Sequence, residues 1–91
     1  MAITAHFKPK SMNAAQYDEA LRRLEAAGAA APAGRIHHLC FGAGDKLEVI
    51  DVWETPESFQ QFGATLGPIL GDIGIDAGEP TILPLYNAIA G

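Results

Sequence analysis

Residues 49–59 read VIDVWETPESF, and this stretch decides the fold because a strand pattern runs directly into the start of a helix. Its first half is rich in β-branched and aromatic residues, which favour a strand. Thr55 is a preferred helix N-cap, Pro56 suits the first helical position, and Glu57 complements the positive end of the helix dipole. We therefore predict that strand 3 ends near Glu54 and that helix 2 begins at Pro56.

Strand 3 is apolar on both faces. Leu47, Val49 and Trp53 would lie on one face, whereas Ile50 and Val52 would lie on the other. Helices can cover only one face of the sheet in a two-layer domain, so a strand that is apolar on both faces requires a third layer. A second copy of the chain supplies that layer most simply. We therefore predict a homodimer that packs sheet against sheet.

The remaining pattern places one strand and one helix before this region and one strand after it. Asn13 with Gln16 predicts a capping box at the start of helix 1, and residues 42–45 predict a hairpin turn. The β-α-β-β-α-β order predicts an α+β, ferredoxin-like fold with a four-stranded antiparallel sheet, formed by residues 1–91 as a single domain. The predicted elements are strand 1 over 2–7, helix 1 from Asn13 to Gly28, strand 2 over 35–41, strand 3 over 46–54, helix 2 from Thr55 onward, and strand 4 over 79–87.

Helix 2 carries an unusual set of helix-breaking residues. Each glycine inside a helix costs about 1 kcal/mol relative to alanine. Two causes are available: the close approach of a neighbouring backbone, which we favour, or space left for a ligand. Pro68 is also a position at which the helix can divide. The glycines concerned are Gly63, Gly67, Gly71 and Gly74.

Composition excludes several classes of protein. The net charge is −5, from six basic and eleven acidic residues, and no basic cluster is present, so we expect no binding to nucleic acid. No apolar run reaches the roughly 18 residues of a membrane span, and residues 1–6 lack the pattern of a signal peptide. Cys40 is the one cysteine, so we expect a cytoplasmic protein without an internal disulfide.

The β-α-β-β-α-β order, with the sequence VWETPESF at residues 52–59, resembles the dimeric α+β barrel superfamily over essentially the whole chain. Within it, the nearest branch is similar to the antibiotic-biosynthesis-monooxygenase-like proteins. The chain also resembles small uncharacterised bacterial members whose strand 4 ends in Pro-Val-His-Asn, where residues 84–87 here read PLYN. The resemblance implies a ligand pocket between the sheet and the helices of one subunit.

Known members of that superfamily include cofactor-independent quinone-forming monooxygenases, haem-degrading oxygenases and lactone isomerases. The haem-degrading branch carries a tryptophan within helix 2 and a haem-ligating histidine further along. Phe62 and Asp72 occupy those places here, so the resemblance disfavours haem degradation, and we expect no cofactor.

A tight turn at residues 43–44 would place Ile36 opposite Asp51 and His38 opposite Val49. A one-residue slip of this hairpin would move the side chains of strand 2 to the opposite face. In the predicted register, one face of the sheet carries three side chains that could take part in binding or catalysis: His38, Asp51 and Trp53.

These side chains suggest a site for a small apolar or aromatic molecule. His38 would be the base, because imidazole titrates near neutral pH, and Asp51 would orient it. Trp53 would stack on the ligand ring, with Phe62, Tyr86 and Asn87 as further binding residues. The structural alternative is that Asp51 bonds a backbone amide at a strand end and that Trp53 belongs to the core or the dimer interface.

Other candidate chemistry is weak. Tyr17 of helix 1 could roof the pocket, although the pattern favours a simple core position. His37 and His38 are adjacent in a strand and point to opposite faces, so they cannot bind one ion together, and we expect no metal site.

Three functions are compatible with the sequence. The first is a cofactor-independent monooxygenase that acts on a small apolar or aromatic metabolite. The second is a non-oxidative binding protein or isomerase that uses the same pocket. The third is a dimer in which the pocket is closed and has no catalytic role.

Overall fold

A computed structural model describes all 91 residues of the chain. Four strands form one antiparallel sheet in the order β2-β3-β1-β4. The predicted α+β, ferredoxin-like fold is confirmed, and no helix has the length and apolar character needed to cross a membrane. The elements are β1 (Ile3–Phe7), α1 (Ala14–Ala26), β2 (Arg35–Phe41), β3 (Glu48–Trp53), α2 (Pro56–Ile73) and β4 (Thr81–Pro84).

Both helices begin at the caps that the sequence predicts. The Asn13 side chain accepts a hydrogen bond from the Gln16 backbone N–H, and the Gln16 side chain accepts one from the Asn13 backbone N–H, both at 2.9 Å. The Thr55 hydroxyl accepts a hydrogen bond from the Ser58 backbone N–H at 3.1 Å. These bonds satisfy N–H groups that a helix start leaves without intrahelical partners.

Pro68 does not divide α2, which continues through it to Ile73. A proline inside a helix removes the N–H that would bond the carbonyl four residues earlier, here that of Ala64. Ala64 and Pro68 both lie on the exposed side of the helix, where water can bond the freed carbonyl. Exposure of this side therefore makes the proline tolerable.

The glycines of α2 are not explained by close approach of a neighbouring backbone, so that expectation is wrong within the chain. A Cβ atom built on Gly63, Gly67 or Gly71 would meet no other atom within 4 Å. Gly74 has a separate reason, because it ends the helix with a φ of 87°, a left-handed conformation that favours glycine.

The hydrophobic core lies between the sheet and the helices. Trp53 is fully buried there, with its ring centroid 5.3 Å from that of Phe62 and 5.9 Å from that of Phe59. Strand β1 adds Ile3 and Ala5 from the neighbouring strand position, and α1 adds Leu24. The face of β3 that carries Trp53 is therefore the helix-covered face of the sheet.

The opposite face of the sheet, here called the open face, has no covering layer in the single chain. Leu39 and Leu83 are each 58% exposed on it, and Phe41 is 42% exposed. Beside Phe41, His6 Nε2 lies 2.8 Å from Glu48 Oε1. The open face thus combines exposed apolar side chains with a polar pair.

A β-bulge interrupts the pairing of β2 with β3 near the start of β2. His38 lies opposite Asp51 and His37 opposite Val52, whereas Arg35 lies opposite Trp53. Ile36 is the extra residue. Regular alternation would place Arg35 on the open face with His37, and the bulge turns it to the helix-covered face instead.

The predicted hairpin register was wrong by two residues, because the connection between β2 and β3 is longer than a two-residue turn. Residues 45–47 pair with the segment before α1: the Met12 N–H donates to the Asp45 carbonyl at 2.8 Å, and the Leu47 N–H donates to the Met12 carbonyl at 3.2 Å. Gly42 leaves the strand with a φ of 120°. A shift of two residues preserves the face of every side chain, so His38 and Asp51 still share one face.

Strand β4 is shorter than predicted, four residues in place of nine. Pro80 and Pro84 bound it, because proline has no N–H to donate to a strand ladder. One further bond follows, from the Leu85 N–H to the Ala2 carbonyl at 2.9 Å, and the chain then leaves the sheet.

Two glycine substitutions in α2 should act in opposite directions. Gly71→Ala should raise the free energy of unfolding by about 0.5–1 kcal/mol, because alanine is the better helix former and its Cβ meets open space. Gly74→Ala should lower it by about 1–2 kcal/mol, because the left-handed conformation is strained for alanine. Urea unfolding followed by Trp53 fluorescence measures both, and a stabilised Gly74→Ala variant would contradict this account.

Candidate functional site

A cavity of about 70 Å³ lies between the helix-covered face of the sheet and the two helices. Four of its lining side chains carry polar groups, Tyr17, Arg35, His38 and Asp51, and all four reach the same cavity from three different elements. The remaining wall is apolar and consists of Phe7, Pro9, Met12, Ala20, Leu21, Leu24, Val49, Phe62, Leu66, Leu70, Ile75 and Ala77.

His38 and Asp51 form a hydrogen-bonded pair across the β2–β3 ladder. The two residues are directly opposite, and His38 Nδ1 bonds Asp51 Oδ1. A carboxylate can only accept, so Nδ1 carries the proton and donates it. In the neutral ring, Nε2 is then the nitrogen with a free lone pair, which is the atom that can act as a base.

Tyr17 occupies the position next to that lone pair. Its hydroxyl oxygen lies 2.6 Å from His38 Nε2, and the two rings are parallel to within 3°. Because Nε2 accepts, the Tyr17 hydroxyl donates. A continuous hydrogen-bonded chain therefore runs from Tyr17 through His38 to Asp51, here called the Tyr17–His38–Asp51 relay.

The surroundings keep Tyr17 in its neutral form. Burial is the main cause that raises the pKa of Tyr17, and the nearby negative charges of Cys40, when ionised, and Asp51 raise it further. Arg35 opposes this effect because its positive charge favours the phenolate. At neutral pH the hydroxyl is therefore a proton donor to His38.

Cys40 does not supply a nucleophile. Burial raises the pKa of its thiol, and the negative charge of Asp18 raises it further. The thiol is free and protonated at neutral pH, whereas nucleophilic attack requires the thiolate.

His37 lies on the open face, away from His38. No three His, Cys, Asp or Glu side chains form a group that could hold a metal ion.

Three of the six side chains predicted for the site line the cavity: His38, Asp51 and Phe62. Trp53 does not line it but is buried in the core, and its indole N–H has no hydrogen-bond partner. Tyr86 and Asn87 follow β4 and are exposed, and neither reaches the cavity. The structure thus separates the predicted base and its carboxylate from Trp53, Tyr86 and Asn87 but keeps Phe62 beside them.

Sequence reasoning missed Arg35 as a member of the cavity wall, and it named Tyr17 as a possible roof of the pocket but favoured a core position for it. Tyr17 shares the inner face of α1 with Leu24, so helical spacing alone assigned it to the core. Its bond to His38 depends on how α1 packs over the sheet, which periodicity does not report. Arg35 reaches the cavity only because of the β-bulge, which has no signature in this stretch of sequence.

A second cavity of about 300 Å³ adjoins the first along α2. The two share four lining residues, and the backbones of Gly63 and Gly67 form part of the wall of the second. Small-molecule sites commonly measure roughly 300–1,000 Å³, and an engineered cavity of about 150 Å³ holds benzene. The first cavity alone is therefore too small for an aromatic ring, and a ligand with such a ring would have to extend into the second. The shared residues are Phe7, Leu66, Leu70 and Ala77.

No protein-family model and no curated protein matches the sequence. Solved structures do match its fold. A proposed antibiotic biosynthesis monooxygenase from Chloroflexus aurantiacus superposes with a TM-score of 0.68 at 15% identity, covering 99% of this chain and 98% of that one. A variant of SnoaB, a cofactor-independent oxygenase from Streptomyces nogalater, gives 0.67 at 18% identity, covering 99% and 98%. Unsubstituted SnoaB gives 0.62 at 18% identity, covering 99% and 96%.

These neighbours confirm the predicted resemblance at the level of the fold. The match extends over nearly the whole length of each chain, so the chain has the fold of the antibiotic-biosynthesis-monooxygenase-like proteins from end to end. Identities of 15–18% carry no activity by themselves.

The raised pKa of Tyr17 predicts a specific alkaline destabilisation. Below the ordinary tyrosine value of 10.0, the folded and unfolded chains both hold the proton, so the stabilisation is complete. As the pH rises above that value, the unfolded chain releases its Tyr17 proton before the folded chain does, and the free energy of unfolding falls. Unfolding by urea at several pH values should show this loss in the wild type. Tyr17→Phe should show a smaller decline, and parallel curves would contradict the assignment.

Proposed function

We propose that the protein is a cofactor-independent oxygenase that removes a proton from a small apolar molecule bound in the cavity. The observation that carries the proposal is the Tyr17–His38–Asp51 relay at the wall of an otherwise apolar cavity. SnoaB, whose fold the chain shares, is a cofactor-independent oxygenase, which supports this choice among proton-transfer reactions.

The relay supplies a base and defines the direction in which the proton moves. Asp51 fixes the proton on Nδ1 and stabilises the imidazolium that forms when Nε2 takes a second proton. The Tyr17 hydroxyl is bonded to Nε2 and Tyr17 also lines the cavity, so the hydroxyl can receive the substrate proton as it gives its own proton to His38. The pair formed is a substrate anion and an imidazolium held beside the Asp51 carboxylate.

The substrate anion then provides the electrons for oxygen. An activated carbanion or enolate combines with O₂ to give a peroxide anion, which takes one proton back from the relay. Loss of water from the hydroperoxide leaves a carbonyl group, so that CH₂ and O₂ become C=O and H₂O. The substrate itself is the reductant, and the chain provides the base and an apolar wall that excludes water and strengthens the charge interactions.

The small size of the first cavity, which the relay lines, favours a second candidate function. At about 70 Å³, it leaves room for little more than water beside the relay, as expected if the relay is a structural element of a non-catalytic dimer. A binding protein or isomerase would use the same pocket without oxygen. These candidates differ from the first in the absence of oxygen consumption.

We also propose that the chain acts as a cytoplasmic homodimer joined through the open face. Only ten of 91 residues are buried in the single chain, although 48% are hydrophobic. Leu39 and Phe41 on one edge strand and Leu83 on the other are exposed on the open face, and monomers rarely leave large apolar patches uncovered. The free Cys40 is compatible with a reducing compartment.

Replacement of the base tests the proposed activity. His38→Gln should lower oxygen uptake with anthrone or hydroxynaphthalene substrates by roughly 10²–10⁴-fold, because a positioned general base contributes about that factor. His37→Gln is the matched control, since this neighbouring histidine lies on the opposite face of the sheet from the cavity. Equal uptake by His38→Gln and the wild type would exclude the proposed mechanism, and no uptake by either would favour the non-oxidative candidates.

A charge on the open face tests the dimer. Leu39→Asp should convert a dimeric wild type to monomer or to unfolded chain, because the carboxylate would have to be buried without a partner. Ile89→Asp is the control, since Ile89 is 81% exposed and lies outside the sheet. Sedimentation velocity at micromolar concentration measures the assembly. A well-folded wild-type monomer would end the proposal.

A further inference from the structure

Arg35 has few partners of its own within the chain. One guanidinium nitrogen, Nη2, donates to the Ala30 carbonyl at 3.1 Å, and the guanidinium carbon lies 5.7 Å from the centroid of the Phe62 ring. No carboxylate lies within ion-pair distance, although acidic residues outnumber basic ones in the chain. A guanidinium has five N–H donors, so most of those of Arg35 lack a protein acceptor.

The position of Arg35 depends on an irregularity in the fold. If Ile36 paired regularly in the ladder, Arg35 would share the open face with His37; because Ile36 is bulged out, Arg35 lies opposite Trp53 and lines the cavity. Bulges are over-represented next to active sites, where they re-aim a side chain. Here the bulge brings a positive charge to an apolar cavity in which no acidic side chain pairs with it.

Arg35 and His38 are neighbours on the helix-covered face. Their partners in β3, Trp53 and Asp51, are two residues apart, which corresponds to about 7 Å along the strand. One small molecule can therefore contact both side chains. Arg35 is also the only permanently cationic side chain among the residues that line the cavity.

We propose that Arg35 binds a negatively charged oxygen of the ligand, so that the cavity selects apolar molecules with an anionic oxygen close to the group that the relay deprotonates. This inference rests on the proposed function for the role of His38. Guanidinium binds such oxygens through charge-assisted hydrogen bonds, often two at once.

The anionic oxygen has two possible sources with the same chemistry. It can be a carboxylate that the ligand carries before binding, or it can be the oxyanion that forms when the relay takes a proton. In the first case Arg35 determines affinity for the ligand. In the second it stabilises the anion formed from the ligand.

A matched pair of probes tests the inference without turnover. The probes are 3-hydroxybenzoate, which has a carboxylate and a phenol, and 3-hydroxybenzamide, which is uncharged at neutral pH. Calorimetric titration under nitrogen measures the affinity of each, and the absorbance of the bound amide as a function of pH measures the pKa of its phenol. The proteins compared are the wild type, Arg35→Gln, Arg35→Lys and the control Arg22→Gln, which removes an equal charge from the exposed surface of α1.

The wild type should bind the carboxylate probe about 10- to 100-fold more tightly than the amide, because hydrogen bonds to charged groups are worth roughly that factor. Arg35→Gln should remove this preference, Arg35→Lys should retain part of it, and Arg22→Gln should leave it unchanged. If the oxyanion is the source, the two probes bind alike, but the pKa of the bound phenol is lower in the wild type than in Arg35→Gln.

Equal probe affinities together with an equal phenol pKa in the wild type and Arg35→Gln would overturn the inference. Near-ultraviolet circular dichroism confirms that each variant is folded before it is titrated. A failure of the oxygenase proposal is recognised separately, because oxygen uptake would then be the same in the wild type and in His38→Gln. Anion selectivity in the absence of oxygen does not depend on that result.

Discussion

A buried charge constrains the whole site. Asp51 is 3% exposed, and it is the only charged residue among the ten buried ones. A carboxylate in an apolar layer is unfavourable unless it is paired and hydrogen-bonded. His38 provides that bond from the opposite strand, so the β2–β3 register, the tautomer of the imidazole and the availability of Nε2 follow from one requirement. The position of Tyr17 over Nε2 depends in turn on that tautomer.

Much of this arrangement could be predicted because it depends on local signals. The Asn13 and Thr55 caps fixed the starts of both helices, and alternation along β3 separated Asp51 from Val52. The shared face of His38 and Asp51 survived an error of two residues in the hairpin, since strand side chains repeat with a period of two. The face on which a strand side chain lies can thus be predicted more reliably than the residue with which it pairs.

The remaining features depend on contacts between distant parts of the chain. The hairpin was misjudged because residues 45–47 bond Met12 instead of continuing the ladder with β2. Tyr86 was placed in a strand that ends at Pro84. Tyr17 shares the spacing of a core residue and differs from one only in what its hydroxyl meets. For the hairpin and for Tyr17, the deciding partner lies far away in the sequence, where no periodicity can indicate it.

The bulge at Ile36 has a consequence for how relatives of this chain are compared. The same residues could also pair without a bulge, and Ile36 would then lie opposite Trp53 while Arg35 turned to the outside, although every residue kept its identity. A relative with regular pairing here would retain the imidazole and the acid but would lose the internal cation. A gap-free alignment can therefore hide a change in ligand chemistry that only the strand pairing reveals.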